Sequence, residues 1–224
     1  EMSASLVGSE MCIRDSPMHI PAFIVAYVCL LLACGIGDIM AKPVVLSACL
    51  IIWIGGFHGK WQREKDACRD WMNARMLYHA GAYTAANAAY DKLYPQLREK
   101  GTFLFEYGHS LHKTGFYNES NKYLDKALVY CADPMILNVI GKNYQALQCY
   151  HWAEELLLAS THRLPGRIYP YYLLAKLYAD PEFLNREKFE EMRRMVLMKA
   201  PKIHSTAIEE MRREVEEIAK ELEK

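Results

Sequence analysis

A pattern of small and large side chains recurs along this chain every 33 or 34 residues, and this period restricts the possible folds more than any other feature. Within residues 101–134, Leu104, Gly108 and Leu111 fall on one face of a helix, Gly115 permits a tight turn, and a second helix follows. The same order of residues is found 34 positions earlier and 33 positions later. One helix pair cannot bury its apolar face alone, so a fixed period of this size predicts stacked helix pairs. The sequence therefore predicts an all-α solenoid.

The order of the repeated residues is that of a known helical repeat. A small residue, a large residue, Gly-x-Tyr, Ala, an aromatic residue or Leu, Ala and Pro follow one another, and this order resembles the tetratricopeptide repeat (TPR) over residues 67–203. The resemblance implies three to four helix-turn-helix units, at about 67–100, 101–133, 134–167 and 168–203. It also implies a TPR α-solenoid whose concave groove binds segments of partner proteins.

A last helix is predicted within residues 204–224. Its apolar residues form one narrow stripe flanked by charges: Ile208, Met211, Val215, Ile218 and Leu222. Such a stripe is typical of a C-terminal capping helix that covers the open end of a solenoid. A coiled-coil dimer is the alternative, although the segment is barely two heptads long.

Two apolar runs precede the repeats and predict a transmembrane helical hairpin over residues 18–61. Residues 20–37 and 43–57 carry no charge, and a short polar turn lies between them. A signal peptide with a lipoprotein-like box at 31–34 is one alternative, and a buried soluble helix pair is another. After the hairpin, Lys60, Arg63, Lys65 and Arg69 favour placing the repeats in the cytoplasm by the positive-inside bias. The periplasm is the alternative.

Residues 1–17 are predicted to be a non-native or disordered tail. The string SLVGSEMCIRDS resembles translated adaptor sequence at the end of an assembled gene, and a short natural tail is the alternative. If the string is an adaptor, the chain is a fragment of a longer protein.

Composition and motifs give no sign of catalysis. The 27 basic and 27 acidic residues cancel, so no bulk field points to nucleic acid. The seven cysteines lack C-x-x-C spacing, and no phosphate-binding, nucleophile-elbow or zinc motif is found. His109 and His112 are spaced to share a metal ion, but no third ligand lies near them. We therefore predict no catalytic residues, cofactor or metal.

One helical face of the repeats is predicted to bind a partner. Its residues lie one step around each first helix from the buried stripe: Trp71, Arg75, Tyr78, Phe105, His109, His112, Asn138, Lys142, Gln145, Tyr172 and Lys176. Arg75, His109, Lys142 and Lys176 recur at the repeat period and would form a basic row bordered by aromatic residues. This row suits an extended acidic peptide with an aromatic or aliphatic anchor, and an ordinary solvated surface is the alternative.

The whole arrangement resembles the C-terminal part of O-antigen ligase-like membrane proteins of Bacteroidetes-type bacteria. The resemblance is carried by FLFEYG at 103–108, GKNYQAL at 141–147, YPYYLLAKLY at 169–178 and KIHSTAIEEM at 202–211. It implies a TPR interaction module tethered to a bacterial inner membrane, from a glycan-transfer enzyme whose catalytic loop this chain lacks. A complete membrane-anchored TPR adaptor, or a lipoprotein adaptor, unrelated to glycans is the alternative.

Overall fold

The computed structural model describes residues 42–200 and 205–223, with side chains from Trp61 onward. This part of the chain is helical and contains no β-strand. Its α-helices are, in order, α1 (Lys42–His79), α2 (Tyr83–Leu97), α3 (Gly101–Lys113), α4 (Tyr117–Tyr130), α5 (Pro134–Ala146), α6 (Tyr150–Arg163), α7 (Tyr169–Tyr178), α8 (Arg186–Met198) and α9 (Thr206–Leu222). The predicted tail (1–17) and the first predicted membrane helix (20–37) lie outside the described residues.

Helix α1 is longer than the sequence indicated. It runs without interruption from Lys42 to His79, through the second predicted membrane helix (43–57) and the junction that follows it. From Lys60 to His79 the sequence contains no glycine or proline that would end a helix. Within the described ranges, no helix is both long enough and apolar enough to span a membrane. This part of the chain therefore gives no support to the predicted hairpin.

The chain divides into two compact units between Met72 and Asn73. The described part of the first unit is α1 as far as Met72, in which Ala67 and Trp71 are buried. The second unit contains the end of α1 and all later helices, and it holds the predicted repeats except for residues 67–72, which belong to the first unit.

Helices in the second unit pack in successive pairs. Helix α3 packs on α4, α5 on α6 and α7 on α8, and each pair contacts the next. The first helices of the pairs also contact one another, α3 with α5 and α5 with α7, and α7 contacts the C-terminal helix α9. The first helices therefore form a row of their own, which is the arrangement that the period of 33 to 34 residues predicts.

Glycine allows the two helices of repeats two and three to approach closely. A Cβ atom on Gly108 would lie 2.6 Å from Leu124 Cγ, and one on Gly141 would lie 2.9 Å from Leu157 Cγ. Both distances are far shorter than a carbon–carbon van der Waals contact. The Ser120 hydroxyl donates to the Gly108 carbonyl oxygen at 2.6 Å and strengthens the first contact.

Three kinds of turn connect the two helices of a pair. Gly81 and Gly115 turn the chain with φ values of +78° and +82°, and Gln148 occupies the corresponding turn of repeat three with φ +58°. The fourth pair is joined instead by a 3₁₀ helix, Pro181–Phe183, whose N-cap Asp180 accepts from the Glu182 amide. The turn is thus the least constant part of the repeat.

Helix α9 packs on the last pair through its apolar stripe. Val215 and Ala219 are buried, and Ile208, Met211, Ile218 and Leu222 are partly buried against the same cluster. The Arg212 guanidinium donates to the carbonyl oxygens of Val196, in the last turn of α8, and of Lys199, the C-cap of α8. Basic groups stabilise such helix C-termini, so α9 covers the last repeat with both apolar and polar contacts.

Candidate partner-binding groove

The predicted groove residues lie on the first helices of the repeats, as expected, but their exposure differs. Four are buried, and seven are partly exposed. The buried ones are Trp71, Arg75, Asn138 and Tyr172, and the partly exposed ones are Tyr78, Phe105, His109, His112, Lys142, Gln145 and Lys176. Trp71 belongs to the first unit of the chain and the others to the second. The accessible part of the face is therefore narrower than the sequence indicated.

Arg75 is engaged in an ion pair with the next first helix. Its Nε donates to Glu106 Oε1 at 2.7 Å, and its Nη2 contacts the same oxygen. The Tyr90 hydroxyl donates to the other oxygen, Glu106 Oε2, at 3.3 Å. Burial, followed by the Glu106 charge, raises the pKa of Tyr90, so the phenol stays protonated. A carboxylate from the chain itself thus neutralises the first member of the predicted basic row.

His109 is held between neighbouring aromatic groups. Its Nδ1 is 2.6 Å from the Tyr78 hydroxyl, and its ring stacks on Phe105 with centroids 5.9 Å apart. Burial lowers the pKa of His109 to about 4, and the nearby Lys113, His112 and Lys142 charges act in the same direction. His109 is therefore neutral at pH 7 and does not contribute the positive charge that the sequence suggested.

His112 joins repeat two to repeat three through a residue that sequence reasoning missed. Its Nδ1 lies 2.6 Å from Asn143 Oδ1, while Asn143 Nδ2 donates to Ser120 Oγ at 2.8 Å and to Asn121 Oδ1 at 2.7 Å. Because the amide nitrogen is already donating, Asn143 Oδ1 accepts and His112 donates from Nδ1. Asn143 is completely buried. The sequence signal that could have identified Asn143 is its position, two residues after Gly141, which packs against the second helix.

Arg75 and Lys176 are paired with carboxylates, whereas Lys142 has no hydrogen bond or ion pair with any residue in the described part of the chain. Lys142 is partly buried. Burial lowers the pKa of Lys142, and the charges of Lys113 and Lys176 lower it further. The charged groups that act on it are thus themselves positive, and Lys142 lies in a locally cationic environment.

Lys176 and Tyr172 bind a carboxylate that α9 supplies. Lys176 Nζ donates to Glu214 Oε1 at 2.6 Å, and the Tyr172 hydroxyl donates to Glu214 Oε2 at 2.5 Å. The ammonium also lies 5.4 Å from the centre of the Tyr172 ring. Hydrogen bonds from Lys176 and Tyr172 lower the pKa of Glu214 and keep it ionised. The capping helix therefore occupies the C-terminal end of the predicted groove.

The two remaining amides have different surroundings. Asn138 is buried, and its Oδ1 has no hydrogen-bond partner in the described part of the chain. Gln145 Nε2 donates to Asp180 Oδ2 at 3.5 Å. Neither residue brings a charge to the face.

The two histidines of repeat two lie close together on this face. His109 and His112 have ring centroids 5.9 Å apart. Among the residues that the structure describes, no group of three His, Cys, Asp or Glu side chains is placed to hold a metal ion. The chemical features of this face are a neutral histidine pair, an unneutralised ammonium and aromatic rings, which can recognise an anionic group beside an apolar one.

A scan against protein-family models and a search of curated protein sequences find no match. Solved structures do match by shape. MamA from Desulfovibrio magneticus RS-1, from residue 41 to its end, has a TM-score of 0.52 at 15% identity, over 66% of this chain and 76% of that chain. A MamA RS-1 double mutant labelled ArsTM has a TM-score of 0.52 at 18% identity, over 72% of this chain and 96% of that chain. At these identities the likeness shows the fold alone, and the part of this chain that the structure describes has an all-helical, TPR-type fold similar to that of MamA.

Proposed function

We propose that the row of first helices binds an extended, acidic segment of a partner protein. A TPR-type fold indicates a protein–protein interaction module in general. The observation that carries the specific proposal is the bonding between successive first helices, Tyr78 to His109 and His112 to Asn143, which makes their exposed sides one continuous surface. Aromatic rings on this surface supply apolar contact area, and buried aromatic contacts commonly dominate affinity.

Site-specific photocrosslinking tests this placement. A photoreactive phenylalanine analogue at Phe105 samples the proposed surface, and the same analogue at Trp152 samples an exposed aromatic position, 60% accessible, on the second helix of repeat three. We expect a discrete protein adduct from the Phe105 position in the full chain within its own cells, and none from Trp152. Adducts of equal yield at both positions would contradict the assignment.

We propose that residues 20–57 tether this module to a bacterial inner membrane, with the repeats in the cytoplasm. The support is in the sequence: two uncharged runs, followed by the cations Lys60, Arg63, Lys65 and Arg69. Cys149 is exposed and offers a native probe of the membrane side. A membrane-impermeant maleimide should label Cys149 only after the inner membrane is broken. Labelling in cells whose outer membrane alone is permeable would place the repeats in the periplasm.

We also propose that the chain is the C-terminal part of an O-antigen ligase- or polymerase-like protein, in which the repeats recruit a partner to glycan transfer. The support is the resemblance of the segments at 103–108, 141–147, 169–178 and 202–211. Sequencing the genomic locus upstream of Met18 tests this origin. Further hydrophobic spans in the same reading frame would support it, and a start codon with a ribosome-binding site at Met18 would refute it.

A further inference from the structure

Cations recur at equivalent positions of the first helices, and those at the two ends are already neutralised. Arg75 binds Glu106 of the next first helix, and Lys176 binds Glu214 of α9. Lys142 occupies the same repeat position between them. The molecule itself therefore shows which chemical group this position binds at either end of the row, and that group is a carboxylate.

The register of the first helices explains why Lys142 lacks such a partner. Contacts between successive first helices join residues 31 positions apart: Arg75 with Glu106, Tyr78 with His109, and His112 with Asn143. The position 31 residues after Lys142 is Leu173, which is buried and apolar. Arg75 therefore meets a glutamate on the next first helix, and Lys142 has a leucine at the corresponding position.

The groups around Lys142 favour an anion from outside the chain. Lys113, at the end of α3, is exposed and acts on Lys142 as a like charge, and so does Lys176. A lysine that is partly buried among like charges gains more from an incoming anion than a fully solvated lysine does. Because the net charge of the chain is zero, the attraction is local to this site.

We propose that a carboxylate of an acidic protein segment binds between Lys142 and Lys113, at the centre of the groove. This inference rests on the proposed function and locates the acidic contact within it. The proposed site is a single position rather than a uniform basic row, because Arg75 is paired with Glu106 and Lys176 with Glu214. An Asp or Glu side chain of the partner would complete at Lys142 the pairing that the chain completes for itself at both ends.

A labelled hexaglutamate peptide tests the site on the purified full chain. In fluorescence anisotropy at low salt, we expect Lys142→Gln to weaken hexaglutamate binding about tenfold. Lys142→Arg, which keeps the charge, should retain most of the affinity. Lys122→Gln removes an exposed lysine from α4, on the other row of helices, and should have no effect. Binding of the unmodified chain should weaken as salt is raised.

A second variant shows whether a loss of binding could come from a folding defect instead of the lost charge. Lys113 is exposed, so Lys113→Gln should leave the helical signal unchanged and weaken hexaglutamate binding about threefold. Equal affinities for hexaglutamate in Lys142→Gln, Lys113→Gln and the unmodified chain would overturn the proposal. Equal binding of hexaglutamine, or Lys142-dependent binding of a thymidine oligonucleotide in place of hexaglutamate, would overturn it too. In each of these cases a crosslink at Phe105 would still support the groove as a partner site.

Discussion

Repeats two and three have the same internal packing but different exposed faces. In both, a glycine of the first helix meets a leucine of the second, Gly108 against Leu124 and Gly141 against Leu157. Their first helices nevertheless present different groups at equivalent positions, a neutral histidine in repeat two where repeat three has the ammonium of Lys142. The comparison teaches that the period specifies how helices pack and leaves the binding chemistry free to vary.

The largest expected effect comes from the shared packing. Gly108→Leu and Gly141→Leu should each destabilise the fold by about 3 kcal/mol, because a larger side chain must displace a buried leucine. A Cβ atom is already closer to its leucine at Gly108 than at Gly141, 2.6 Å against 2.9 Å, so the milder Gly108→Ala should cost more than Gly141→Ala. Urea unfolding followed by circular dichroism measures both differences.

A glycine outside the helix contacts provides the matched control. A Cβ atom on Gly166 would meet nothing within 4 Å, so Gly166→Ala should leave the urea midpoint nearly unchanged. Equal midpoints for Gly108→Leu and Gly166→Ala would contradict the close helix contact at Gly108.

The second expected effect concerns the buried amide that joins the two repeats. Asn143→Ala should cost about 2 kcal/mol, because it leaves His112 without its acceptor and removes two further hydrogen bonds. The equivalent residue of repeat two is Ser110, whose hydroxyl donates to the Tyr83 carbonyl oxygen at 3.3 Å. Ser110→Ala removes one long bond and should cost about 0.5 kcal/mol. Thermal unfolding of the two variants at pH 7 checks this order, and the reverse order would refute the role of Asn143.

Much of the fold followed from the sequence because packing positions recur. Residue spacing alone predicted the packing positions, namely Gly108, Gly141 and the apolar stripe of α9. The pairing of charges was not readable, because it depends on the register between different helices. Glu106 had no sequence feature that linked it to Arg75, and Glu214 lies 38 positions after Lys176 rather than at the repeat period. The sequence therefore predicted which residues share one face of the first helices, and it overestimated the free charge of that face.

The length of α1 was missed for a different reason. The sequence indicated a hairpin and a first repeat as separate elements because their compositions differ. Between Lys60 and His79, however, no residue interrupts helical hydrogen bonding, so the helix continues across the change in composition. A change from apolar to charged residues marks a change of surroundings and does not by itself end a helix.

The histidines of repeat two should make its stability sensitive to acid. The pKa of His109 is lowered to about 4 in the folded chain, against about 6.5 in an unfolded one, and the pKa of His112 is lowered as well. Between these values the unfolded chain binds more protons, so stability is fully present above about pH 6.5 and falls as the pH falls toward 4. For His109 alone, the free energy of unfolding should be about 2 kcal/mol lower at pH 5 than at pH 7, as measured by urea unfolding at the two pH values.

A variant isolates this contribution. His109→Gln cannot titrate but keeps a polar group near Tyr78, so it should reduce the difference in stability between pH 7 and pH 5. Gln145→Ala, at the inner face of repeat three, should leave that difference as it is in the unmodified chain. An unchanged difference in His109→Gln would contradict the neutral state assigned to His109.

The smallest expected effect lies in the turns, where the repeats also differ. Gly115 and Gln148 both have positive φ values, +82° and +58°, which cost a residue with a side chain about 1 kcal/mol. Gly115→Ala should therefore destabilise the fold by about 1 kcal/mol. Gln148→Gly relieves the same strain but loosens the unfolded chain, so it should stabilise by about 0.5 kcal/mol. Opposite shifts of the two urea midpoints would show that repeat three tolerates a strained turn that repeat two avoids, while shifts of the same sign would mean that the two turns are not equivalent.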